Sequence, residues 1–263
     1  MHVFLTNVDT KSILSLFGVI NITINLGTIP LNSAIMSISI GVGLLLIVRF
    51  MKHLKRSKIG QLEGWSIGFA IPGFILTITG AYMSLKSPLS KIDFPYNNII
   101  FGEPSFAFGV LLLAVAILLW RKANVFAKNN IDYIDSMTIS RILMKEAPIL
   151  LKPLSYFTFA LGLALISIAI ASIRLQLFST LNGELITSSF TKYPLVEGLF
   201  ISGLYAIIGI GAILLPFTLK QYAKPSFFKV MITCWQIAGI AFILFGMMNY
   251  FTLSDLIVHL MGK

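Results

Sequence analysis

Long apolar runs separated by short polar stretches set the plan of this chain. Six of them, Leu31–Met51, Trp65–Leu85, Ser105–Leu119, Leu154–Leu175, Pro194–Leu219 and Phe228–Phe251, approach the length needed to cross a bilayer as a helix. The third is the shortest, and Asn98–Gly102 can extend it. These runs predict an all-α, polytopic transmembrane helical bundle of six spans. Ile13–Ile29 is also apolar, but Asn21, Asn25 and Gly27 interrupt it and Pro30 ends it. It reads as an interfacial or re-entrant segment, with a seventh span as the alternative. The chain thus divides into an N-terminal segment, 1–30, and a transmembrane domain, 31–263.

The stretch Arg121–Lys152 between spans three and four is the longest inner connection. On a helical wheel, Ile139, Ile142, Leu143 and Ala147 share one face, opposite Thr138, Arg141 and Lys145. That pattern predicts a short amphipathic helix, capped at Asp135 or Ser136 and limited by Pro148. Pro72 lies inside span two and should free a helical carbonyl. Small residues at Gly64/Gly68, Ala160/Ala164 and Gly198/Ser202 have the spacing at which helices approach closely in lipid.

Charge then orients the spans. Fourteen of the 20 Lys and Arg residues flank or fill the connections after spans one, three and five. The opposite side has Lys11, Lys86, Lys91, Arg174, Lys192 and Lys263. The asymmetry predicts cytoplasmic basic loops and termini outside. Composition agrees: 57% of residues are hydrophobic and 11% charged, against roughly 25% charged in soluble domains. The net charge of +10 is split among short loops, so it reads as topology and not as a nucleic-acid surface. The expected location is the cell membrane, multi-pass, with the lipid bilayer as first partner and no nucleic acid.

Candidate chemistry gathers at the outer rim. Glu103 precedes Pro104, and Glu197 follows Pro194. Two readings stand for these acids. They complement helix N-termini, or they form a polar site with Lys86 and Arg174 as counter-charges. Tyr96 and Asn97 belong to the turn before Glu103 and join the same candidate site. A glycine follows each acid six residues on, Gly109 and Gly203, which hints at two repeated hairpins. The single cysteine, Cys234, cannot form an intrachain disulfide. His2, His53 and His259 lie away from span centres, and Asp255 with His259 is one weak pair, so neither haem nor another metal is expected. No phosphate-cradling loop, nucleophile elbow or zinc-protease helix motif is present, so no catalytic residue is assigned and no cofactor is expected.

Pro72-Gly73, then Tyr96-Asn97, then Phe101-Gly102-Glu103, within the block from Phe69 to Trp120, resemble DUF981, a family of prokaryotic membrane proteins of unknown function. The stretch Pro194–Gly211 is similar to that family's second hairpin. The resemblance covers residues 31–251. It implies a compact helical bundle and supplies no activity, cofactor or catalytic residue.

The functional reading that follows is a cofactor-free accessory or structural subunit of a larger membrane complex, such as a respiratory or redox assembly, with other membrane subunits as partners. Two alternatives accompany it: a small-molecule or ion transporter with an outer-facing acidic vestibule at Glu103 and Glu197, and a quinone- or lipid-binding membrane protein.

Overall fold

The computed structural model describes residues 31–86, 96–128, 136–175, 194–219 and 224–261. The N-terminal segment 1–30, with the question of a seventh span, lies outside them. The described residues form seven helices: α1 Leu31–Lys55, α2 Leu62–Lys86, α3 Tyr96–Lys128, α4 Ser136–Leu150, α5 Lys152–Leu175, α6 Pro194–Thr218 and α7 Pro225–Met261. All but α4 are long and apolar enough to cross a membrane, which gives the six predicted spans. The chain is a polytopic helical membrane protein.

Two sequence expectations shift. Helix α3 begins at Tyr96, so Pro104 lies inside the helix and Glu103 is not in its first turn. Glu103 therefore does not cap that helix. The apolar run alone underestimates α3, because its polar ends are helical too. Helix α4 likewise continues past Pro148 to Leu150. Its buried residues, Ile139, Ser140 and Leu143, lie on or beside the predicted apolar face, while Arg141 and Lys145 are exposed.

The six spans associate as three antiparallel pairs, α2 with α3, α5 with α6, and α1 with α7. Each pair is set by glycine. A Cβ on Gly73 would sit 3.1 Å from the Gly109 carbonyl, one on Gly162 2.8 Å from the Gly209 carbonyl, and one on Gly41 2.5 Å from the Gly239 carbonyl. One heptad further along, Gly80 meets Gly102 and Gly246 meets Ala34. The corresponding positions in the third pair are Ala169 and Ser202, both buried. Small residues every seventh position let antiparallel backbones meet repeatedly where water supplies no apolar driving force.

This shared register corrects the sequence-level view of packing. Gly64 has no neighbour near its absent Cβ and Gly68 has ordinary contacts only. Ala160 and Ala164, two residues to either side of the buried Gly162, are exposed. The hairpin repeat is also shifted. Gly109 corresponds to Gly209, whereas Gly203 meets nothing. Glu103 thus aligns with Gly203 and not with Glu197.

The pairs close into a ring through α1 with α2, α6 with α7, and α3 with α5. The first junction is aromatic: Phe50 stacks edge-on to Trp65 at 5.3 Å and to Phe69 at 5.9 Å. The second holds Phe217 against Phe227 at 6.2 Å. The third, between α3 and α5, is sparse. Helix α4 bridges α1 and α5 at the end of the bundle that carries the basic connections. There the Ile59 N–H donates to Ser140 Oγ at 3.4 Å, and Lys122 pairs with Glu146. Helix α1 stops at the same end. Lys58 N–H bonds the His53 carbonyl at 3.0 Å while Ser57 takes a φ of 53°, a helix stop that glycine usually occupies.

Candidate functional site: an apolar cavity at the centre of the bundle

The helices that run toward the basic end, α1, α3 and α6, line a central cavity of about 260 Å³. They do so with one pattern. Ile40, Leu44, Ile47 and Met51 of α1 stand at the same offsets from Gly41 as Phe108, Leu112, Val115 and Leu119 of α3 from Gly109. Ile208, Ala212 and Leu215 of α6, with Leu219 just past its end, repeat those offsets from Gly209. The opposing helices share one matching level, four residues before their glycines: Phe69 of α2, Thr158 of α5 and Trp235 of α7. The side chains one residue before each tight glycine, Ile40, Phe108 and Ile208, point inward, whereas Val110 and Ile210, one residue after, are exposed. The register that packs each pair therefore also shapes the cavity.

The wall is almost wholly apolar, and most of its polar groups are internally satisfied. Thr158 Oγ1 donates to the Leu154 carbonyl at 3.0 Å. Trp235 Nε1 donates to the Ile208 carbonyl at 3.3 Å. Tyr205 Oη donates to the Ile100 carbonyl at 2.9 Å. Ile100 is the residue four before Pro104, so its carbonyl is the one that the proline ring leaves without a helical N–H. Lys122 lines the basic end of the cavity, and its ammonium pairs with Glu146 of α4. Ser105 is 5% exposed, faces the cavity and has no hydrogen-bond partner among the described residues.

The cavity reaches the sparse junction. Pro104, Leu111 and Leu118 of α3, at heptad spacing, line it from one side, and Leu151, just before α5, with Leu154 and Leu161 of α5 from the other. Helix α4 closes its basic end with Leu143, Ala147 and Leu150. An apolar enclosure of this kind stays dry and accepts apolar guests. Its size is close to the lower end of ligand pockets, roughly 300–1,000 Å³.

The rim residues predicted from sequence lie elsewhere. Glu103 and Arg174 are exposed, and they do not pair with each other. The backbone puts Lys86 at the end of α2, Tyr96 and Asn97 at the start of α3, and Glu197 near the start of α6. These termini share one end of the bundle, opposite the basic connections. The side chains of Lys86, Tyr96, Asn97 and Glu197 lie outside the described residues. Sequence reasoning missed Ser105, Tyr205 and Lys122 as cavity residues. The signal available was the register of Ser105 and Tyr205, each four residues before its glycine.

The family described as Protein of unknown function (DUF981) matches the chain over residues 31–253. No curated protein matches it, and no solved structure does.

Proposed function

The chain belongs to the DUF981 family, whose description assigns no activity, and we propose from its cavity that it binds the apolar chain of a membrane amphiphile, with its basic end cytoplasmic. The observation that supports this reading is the continuity of the apolar cavity with the sparse α3/α5 junction. A lipid-soluble guest can enter there sideways, and no glycine-set pair has to part. Burial of methylene groups supplies the affinity, about 0.8 kcal/mol for each one withdrawn from water. A guest arriving from lipid gains less, and shape and the few polar groups then select it.

This choice puts the quinone- or lipid-binding reading ahead of the accessory-subunit and carrier readings, because only it uses the cavity. Exposed Ile71, Phe74 and Ile78 form a stripe on α2 that lipid contact already accounts for. The test is chemical. The protein, purified in mild detergent, is extracted and its retained amphiphiles are quantified beside a Leu215→Trp variant that fills the cavity. The expected result is near-stoichiometric retention by the native chain and loss by a variant that remains folded. Equal retention by both would overturn the reading.

A further inference from the structure

The cavity also carries information about the head of its guest. We infer that Ser105 recognises a neutral, hydrogen-bond-accepting carbonyl, as in a quinone or an ester, with the apolar chain directed toward Lys122. This rests on the amphiphile-binding reading above.

The other polar groups that line the cavity are already engaged. Thr158, Trp235 and Tyr205 each already donate to a backbone carbonyl. The Lys122 ammonium is paired with Glu146. Among the described residues, Ser105 alone of the lining hydroxyls makes no hydrogen bond, in a position only 5% exposed. A hydroxyl in so apolar a setting gains most from an acceptor supplied by the guest. Tyr205 stands at the matching position on α6, four residues before its glycine, and its oxygen can still accept while it donates to Ile100.

Charge decides against an anionic head at this level. A carboxylate beside Ser105 would find no unpaired cation on the cavity wall among the described residues, and an uncompensated charge in low dielectric is expensive. Distance fixes the direction of the chain. Ser105 and Leu119, both on the wall, lie about 21 Å apart along α3 at 1.5 Å per residue. The stretch between them is apolar, which suits a single extended hydrocarbon chain. The buried hydroxyls of Ser172 and Ser202 also lack partners, but they are not on the cavity wall.

The experiment titrates the delipidated full-length protein with four probes, followed by native mass spectrometry: decylubiquinone, methyl palmitate, palmitate and hexadecane. Native protein should bind at least one of the two carbonyl probes more tightly than palmitate. Ser105→Ala should weaken that probe roughly five- to tenfold, the worth of one neutral hydrogen bond, and leave hexadecane unchanged. Ser105→Thr, which keeps the hydroxyl, should restore most of the affinity. Selective loss of decylubiquinone identifies a quinone, and selective loss of methyl palmitate an ester lipid. Preference for palmitate, or an equal effect of Ser105→Ala on hexadecane, would overturn the head assignment while the cavity reading stands. Failure of all four probes, hexadecane included, would overturn the cavity reading itself.

Discussion

Tyr205 Oη donates a hydrogen bond of 2.9 Å to the carbonyl of Ile100, the carbonyl that Pro104 deprives of its helical donor. A phenol on α6 thus repairs a gap in the ladder of α3 and ties two pairs together inside the bundle. Tyr205→Phe should destabilise the protein by about 1–3 kcal/mol, the cost of a buried unsatisfied carbonyl. In a Pro104→Ala background the backbone can repair itself, so Tyr205→Phe should cost much less. A double-mutant cycle of thermal unfolding in detergent checks this. Additive effects of the two substitutions would refute the coupling.

The glycines predict a contrast. Gly41→Ala places a Cβ 2.5 Å from the Gly239 carbonyl and 2.9 Å from the Ile243 nitrogen, both backbone atoms that cannot swing away. It should lower stability by about 1–3 kcal/mol. Gly68→Ala meets only Leu46 at 3.9 Å and should stabilise α2 by about 0.5–1 kcal/mol. Opposite shifts in melting temperature are the expected readout. Equal destabilisation by both would show that the described packing is wrong.

Ser57 offers a stabilising substitution. Its φ of 53° strains a residue with a Cβ, and the helix stop around it is already hydrogen-bonded. Ser57→Gly should raise stability by up to about 1 kcal/mol, while Ser57→Val, β-branched, should lower it. Melting curves of the two variants should bracket the native curve.

The Lys122–Glu146 pair predicts an effect of salt. The two side chains are 25% and 38% exposed, so the pair contributes at most about 1 kcal/mol and is screened by ions. Glu146→Gln should speed amide hydrogen exchange in α4 and leave the melting temperature nearly unchanged. High salt should do the same to the native protein. Exchange in α4 that responds to neither would mean that its apolar face alone holds it.

How much of this was legible beforehand depends on what each feature requires. Spans are properties of single segments, and runs such as Leu154–Leu175 mark them well. The face of α4 is equally local, and Ile139 and Leu143 are buried as their spacing predicts. The polar start of α3 was harder, since Pro104 reads as a helix beginning until a distant Tyr205 is known to satisfy Ile100. Packing glycines were harder still. Gly64 and Gly68 fit the expected spacing as well as Gly73 and Gly80 do, and only the partner helix separates them. The cavity belongs to no single segment. It arises where three registers agree, so no one run of residues announces it.

The α1/α7 pair has a consequence for biogenesis. Helices α2 and α3, and likewise α5 and α6, find their partners in the next span to be made. Helix α1 must wait, because Lys52 reaches Gln236 across a sequence separation of 184 residues. Until α7 is inserted, the face around Gly41 is exposed to lipid or to whatever insertion factor shields it. Among the described spans, synthesis therefore leaves α1 as the last to find its mate, and a chain arrested before α7 is an open bundle with α1 unclasped.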